Sequence, residues 1–253
     1  MSKRQCVMDQ DWGVDSSSSS SSDSSDEEPE ILSPPSGLFK LPFEILSTIF
    51  ILSSNIQLPI TSQFFYRQLY YCHDTIKIKF LQHKYETTNL DRIFEESVKF
   101  RFFNLDLLHR LDKLNNDSPL PYKDKKIPAR LFLSEPEETL SIRDEIVLQL
   151  LQRGACPNRP KGYPLIKSAQ LGRLDRVKLL VQFGADATVR NNMALRVCAA
   201  RNNKEMVLYF LDELKVKPDS ETLKACVQKN LWDMIQILVD HGAVPDMSTI
   251  NFT

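Results

Sequence analysis

Ala169-Gln170-Leu171-Gly172-Arg173-Leu174-Asp175-Arg176-Val177-Lys178-Leu179-Leu180-Val181-Gln182-Phe183-Gly184-Ala185-Asp186 is the stretch whose reading decides the fold. Its pattern returns at Ala199-Ala200-Arg201-Asn202-Asn203-Lys204-Glu205-Met206-Val207. It returns again at Val227-Gln228-Lys229-Asn230-Leu231-Trp232-Asp233-Met234-Ile235, running on to Leu238 and Gly242-Ala243. The anchors Leu165, Leu195 and Leu223 lie 30 and 28 residues apart. A period of that size marks a stacked-repeat architecture, in which each unit buries its apolar face only against a neighbour. Such folds bind macromolecules more often than they catalyse, so a binding role is expected.

Upstream of the repeats, Leu90, Ile93, Phe94, Val98, Phe102, Leu105, Leu108 and Leu111 step by three or four, which predicts helix over 89–114. Residues 115–128 are rich in turn formers and read as a connection or loop. The folded region opens at Leu41-Pro42-Phe43-Glu44-Ile45-Leu46, where proline just inside a helix start loses no hydrogen bond. Leu41, Ile45, Leu46, Ile49 and Leu52 hold helical spacing with Phe50 alongside, a broad apolar stripe. Leu58-Pro59 breaks it; further helices are expected over about 61–71 and over 74–85, and no segment reads as a strand. The expected fold class is all-α. A three-helix module spans 38–86, a helical connector and loop 87–138, and repeats fill 139–253.

Residues 1–37 read as a disordered acidic tail, because the serine run Ser16–Ser22 and its neighbours have little to bury against the entropy of ordering. Ser20, Ser24 and Ser25 each have an acidic residue three positions on, which suits an acidophilic kinase. Each phosphate would add roughly 1.5 to 2 negative charges. The plainer and preferred reading is a solvated low-complexity tail.

Eight acidic residues within 1–31 face only Lys3 and Arg4, so the remainder is net basic although the chain as a whole carries −1. That balance argues against a general nucleic-acid binder. The five cysteines (Cys6, Cys72, Cys156, Cys198, Cys226) are odd in number and form no C-x-x-C pair, so neither a disulfide framework nor a zinc site is expected. Neither a signal-peptide core nor an 18-residue apolar run is present. A soluble cytoplasmic or nuclear protein is expected, with no membrane partner.

Gly162-Tyr163-Pro164-Leu165-Ile166-Lys167-Ser168-Ala169-Gln170-Leu171-Gly172, followed by Val177, Leu179, Leu180 and Gly184-Ala185-Asp186, resembles the ankyrin repeat. The resemblance covers about 140–248, as a half repeat ending at Gly154-Ala155 and three fuller ones. Tyr163 and Ile166 stand where the family has threonine and histidine, and Leu214-Lys215 stands for glycine-alanine. About three residues fewer separate Gly154 from Leu165, and Gly184 from Leu195, than the family usually has. The resemblance therefore implies an α-solenoid with shortened hairpins. By register the concave positions are Ile166, Lys167, Gln170 and Leu171, then Arg196, Val197, Ala200 and Arg201, then Lys224, Ala225, Gln228 and Lys229. Their basic groups suit an acidic protein target, or are ordinary solvated side chains. Trp232 reads as a residue closing the last repeat, with an interface aromatic as the other reading.

Leu41-Pro42, Glu44-Ile45-Leu46 and Ile49-Phe50, followed by Leu58 and Phe64-Phe65-Tyr66-Arg67, resemble an F-box. With the repeats behind it, the order is similar to fungal F-box-like ankyrin proteins, including the stretch Lys99-Phe100-Arg101-Phe102. The resemblance implies docking on the Skp adaptor of a cullin-RING ubiquitin ligase through Leu41, Pro42, Ile45, Leu46, Ile49, Phe50, Leu58 and Phe65. Thr61-Ser62-Gln63 departs from the family's valine-cysteine-lysine. The function implied is that of a substrate receptor, the repeats holding a protein target. The alternative is an ankyrin scaffold or inhibitor that recruits no ligase, residues 41–111 serving as a helical cap on the first repeat.

Catalysis has little to stand on in the sequence. His73, His83, His109 and His241 are scattered, Cys72-His73 are adjacent and diverge on a helix, and no glycine-rich phosphate loop occurs. Glu95-Glu96 and Glu137-Glu138 read as solvated helix faces. No enzyme, cofactor or metal is expected.

Overall fold

The computed structural model describes residues 37–133 and 137–247, the side chains of 137–140 excepted. The serine-rich tail and its three candidate phosphorylation sites lie outside the described residues. The chain divides at Lys40 into two units. Of the first, a 3-10 turn at Gly37–Lys40 is described. The second, from Leu41 onward, holds twelve α-helices among its described residues and is all-α. Among the described residues there is no strand, only an isolated parallel bridge between Lys126 and Cys156.

Helix α1 (Phe43–Ser53) follows Pro42, whose carbonyl accepts from the amides of Ile45 and Leu46, both at 3.1 Å. Its inner side buries Leu46, Ser47 and Phe50, and the Phe50 ring stacks on Phe80 with centroids 4.4 Å apart. After a 3-10 turn (Leu58–Thr61), the Ser62 hydroxyl caps α2 (Gln63–Phe65), which widens into a π turn at Tyr66–Tyr70. Helix α3 (Asp74–Tyr85) completes the three-helix start and packs along α1.

The helix expected over 89–114 is two. Helix α4 (Leu90–Ser97) and α5 (Leu105–Leu114) are separated by a turn at 98–104. Asn104 is extended there, and its side chain accepts from the Leu107 amide at 2.9 Å, which fixes a new helix start. Phe102 and Phe103 are buried from within the turn, so apolar spacing continued across a backbone break. Residues 115–128 are a loop, as read, though one that buries Leu120, Tyr122 and Ile127. It is laced to the turn after α6 (Glu137–Gln152): Tyr122 N donates to Arg153 O, Asp124 N to Gly154 O, and Cys156 N to Lys125 O, each at 2.9 Å. The Arg153 guanidinium adds a forked pair to Asp112 at 2.8 and 2.6 Å.

Three helix pairs follow: α7 (Tyr163–Gln170) with α8 (Leu174–Gln182), α9 (Val189–Ala200) with α10 (Lys204–Leu208), and α11 (Ser220–Val227) with α12 (Trp232–Asp240). Arg190, Asn191 and Asn192 are left-handed, so the regular part of α9 starts after them. Helix α9 packs between α7 and α11. The turn inside each pair is the same. Gly172, Asn202 and Asn230 are left-handed (φ 74°, 57° and 54°), and their amides bond to Ala169 O, Ala199 O and Val227 O.

The turns between pairs repeat as well. Gly184 has φ 86°, its amide bonds to Val181 O and that of Ala185 to Leu180 O; Gly154 and Gly242 do likewise. An L side chain is strained in that region, which is why glycine closes the second helix. The middle unit differs from expectation. Helix α10 runs into a π turn (Tyr209–Glu213), Leu214 N bonds five residues back to Tyr209 O, and the left-handed residue is Lys215, with Val216 buried after it. Lys215-Val216, and not Leu214-Lys215, therefore stands for glycine-alanine; the π turn absorbs the extra residue.

Leu165, Leu195 and Leu223 are all buried. Ala169 and Ala199 lie where α7 meets α9, and Cys198 Sγ approaches Ala169 O at 3.9 Å. A larger side chain has nowhere to go at such a crossing. Ala199→Leu is expected to cost about 1–3 kcal/mol through overpacking, read as a lower midpoint in urea at unchanged slope.

Candidate protein-interaction surfaces

Two surfaces follow from the sequence reading, and the structure divides each of them. On α1, Ile45 (49% exposed) and Leu52 (63% exposed) flank half-buried Ile49 at i, i+4 and i+7, which aligns them on one outward stripe. Pro42 is exposed at the head of the helix. Leu46, Phe50 and Phe65, placed by the resemblance among the adaptor contacts, are instead buried in the chain's own core, at 2%, 2% and 6% exposure. Leu41 and Leu58 are half-buried against that core. The correction has a simple cause: α1 carries apolar residues on more than half its circumference, and only the side away from α3 remains open. Leu52, absent from the predicted contacts, belongs to the open side.

The second surface is the row of repeat positions. Ile166, Leu171 and Val197 are half-buried, Arg201 and Gln228 exposed. The basic groups are more engaged than their spacing suggests. Arg196 pairs with Asp219 at 3.2 Å and lies 3.9 Å from Glu221, across the step from α9 to α11. Lys229 Nζ donates to Ala200 O at 2.7 Å, and Lys167 Nζ donates to Gln170 Oε1 at 3.0 Å. Lys224 is half-buried and also engaged. The row is therefore a mixed-charge surface in which Arg196 is largely neutralised. Trp232, read as a closing residue, is 62% exposed at the start of α12, so the packing reading is corrected.

Several of the cysteine, histidine and acidic side chains are buried or engaged within the fold. Burial pushes the Cys198 thiol up to about 12, and Cys72 and Cys226 to about 11, keeping all three protonated. His73 caps α3, while His83 meets the Ser54 hydroxyl at 3.0 Å. His241 bonds to Ile237 O at 2.7 Å and to Asp212 at 3.0 Å; the carbonyl first and then the carboxylate hold its pKa above the ordinary value. Glu95 and Glu96 are not free solvated groups: Glu95 pairs with Lys125 at 2.8 Å and Glu96 with Lys99 at 2.6 Å. Glu137 and Glu138 fall where side chains are not described. Among the described residues no group of three histidine, cysteine or acidic side chains is placed to hold a metal ion. No described helix is long and apolar enough to cross a membrane.

Comparison of the chain with protein-family models and with curated proteins finds no match to either.

Proposed function

We propose that the chain is a substrate-recognition subunit of a Skp/cullin/F-box ubiquitin ligase, with an F-box-like start and an ankyrin-type repeat array. The open apolar stripe of α1 is the observation that carries the reading. Pro42, Ile45, Ile49 and Leu52 sit together on a helix whose other side is already packed, and apolar surface left in that arrangement suits a helix-in-groove contact. The repeated turns at Gly172, Asn202 and Asn230 support an array that holds a protein target, with the mixed-charge row and Trp232 as its contact residues. The protein supplies proximity in this reading, not chemistry.

One observation favours the alternative of a scaffold without a ligase. A single buried cluster runs from Leu46 through Ala243, so the first helices are built into the same core as the repeats, as a cap would be. The two readings separate in one experiment. Ile45→Glu with Leu52→Glu changes two exposed positions, so the melting temperature should stay within about 2 °C. Under the ligase reading, co-purification of the Skp adaptor and a cullin with the tagged chain is lost in that variant. Absence of the adaptor from the wild-type preparation would leave the scaffold.

A further inference from the structure

Two clefts with a common wall lie where the π turn at Tyr66–Tyr70 meets the 98–104 turn, one reaching on to Arg130 and α6 and the other toward α1 and the 3-10 turn at Leu58–Thr61. One, of about 460 Å³, is lined by Tyr66, Tyr70, Tyr71, Arg101, Arg130 and Arg143, and no aspartate or glutamate lines it among the described residues. The other, of about 250 Å³, is apolar, with Phe50, Pro59, Ile60, Leu69 and Phe100 in its walls. Tyr70 and Arg101 belong to both.

Among the described residues no carboxylate lines this place, whereas Arg196 in the repeat row has Asp219 as its partner. Arg101 is exposed and makes no hydrogen bond or ion pair with a described residue. Arg130 donates to Val98 O at 3.0 Å, and its buried Nε has no acceptor. Burial pushes the Arg130 pKa down to about 10; Tyr70 and Tyr122 oppose that shift, and Arg143 and Arg101 add to it. Arg143 is engaged, donating to Leu133 O at 3.2 Å. The phenol of Tyr66 is held neutral, its pKa pushed up to about 12 chiefly by its hydrogen bond with Tyr71. An anionic oxygen entering the cleft would meet guanidinium and phenol donors.

The apolar cleft sets what else the ligand carries. Lys77 and Lys99 in its walls are already paired, with Asp74 at 2.8 Å and Glu96 at 2.6 Å. Among the described residues Arg101 is thus the cation at the junction that has no partner, and the charge favours an occupant with an anionic group on one side of it and an apolar group on the other. We infer that these joined clefts bind an acidic peptide segment of a partner protein, its carboxylate or phosphate on Arg101 and Arg130 and a neighbouring leucine-sized side chain against Ile60 and Phe100. The inference stands apart from the ligase reading, since neither the adaptor nor the outward stripe of α1 enters it.

Fluorescence polarisation on the full chain tests it. The probe is a labelled peptide of aspartates and glutamates around a single leucine, run beside a form with serine for leucine and one with phosphoserine for an aspartate. Saturable binding of the leucine peptide is expected. Arg101→Glu should weaken it about tenfold or more, while Arg101→Lys retains most of it. Ile60→Ser should weaken the leucine peptide alone, again about tenfold, and leave the serine peptide unmoved. Both positions are exposed, so melting temperatures confirm that the variants fold. A tighter phosphoserine peptide assigns the anion as phosphate, and an equal or weaker one as carboxylate. No saturable binding, or binding indifferent to Arg101→Glu, overturns the inference. Full competition by an oligothymidylate of equal charge would give the cleft to nucleic acid and overturn it too.

Discussion

Asp144→Ala is expected to lower the unfolding free energy by about 3 kcal/mol. Asp144 on α6 forms an ion pair with Arg176 on α8, and it also accepts from Arg173 at 2.7 Å. The Arg176 side chain is 1% exposed, donates to Leu131 O at 3.1 Å, and lies 5.6 Å from the centre of the Phe132 ring. Burial lowers the Arg176 pKa and Asp144 raises it, so the carboxylate is what keeps a buried cation tolerable. Removing it strands that cation beside Arg173 and Arg143. Asp144 itself is 29% exposed, which is why the lower end of the usual 3–5 kcal/mol is expected. For a unit of this size the change corresponds to a melting temperature lower by roughly 6–12 °C. The double variant Asp144→Ala with Arg176→Met should recover most of the loss, because an apolar chain can occupy the space without a partner. A double variant as unstable as the single one would show that the pair acts through packing and not through charge.

That ion pair also shows where the sequence was legible and where it was not. The repeat period was open to reading because buried leucines and left-handed turn residues are demanded locally, as at Leu165, Leu195 and Leu223, and at Gly184 and Gly242. The insertion in the middle unit was not. Spacing counts residues, whereas the π turn at Tyr209–Glu213 consumes one without moving the closing turn. The break between α4 and α5 escaped for a related reason: Phe102 and Phe103 serve the core as well from a turn as from a helix. Asn104 was the available signal, a capping residue just ahead of the apolar residues of α5.

The charges were the least legible part. Arg196 reads as a free cation on its own helix, and its partners Asp219 and Glu221 lie in the next repeat, where only the stacking brings them together. Arg101 is the converse. The stretch Lys99-Phe100-Arg101-Phe102 enters the sequence reading only through the family resemblance, and the charge of Arg101 becomes notable because the fold sets Arg130 and Arg143 beside it without a carboxylate lining the cleft among the described residues. Charge counted along a chain says little about charge presented in space.

Phe50→Ala should cost about 3–5 kcal/mol, and its contrast with Ile45→Ala tests the division of α1 most directly. The Phe50 ring is 2% exposed and lies flat on Phe80, with 4° between the planes, while Phe80 meets Phe102 edge-on at 6.5 Å. Truncation removes one end of that aromatic stack, the ring that covers Phe80, and leaves a cavity between α1 and α3. The melting temperature should fall by roughly 6–20 °C. Ile45→Ala, at a position 49% exposed, should change stability by no more than about 0.5 kcal/mol. Under the proposed ligase reading the order inverts for adaptor binding. Ile45→Ala should weaken the adaptor directly, because its side chain is on offer. Phe50→Ala, at a temperature where the variant remains folded, should weaken the adaptor only as far as α1 loses its anchoring. If Phe50→Ala left stability unchanged while abolishing adaptor binding, the inner face of α1 would be the interface after all, and α1 would have to turn or detach to present it.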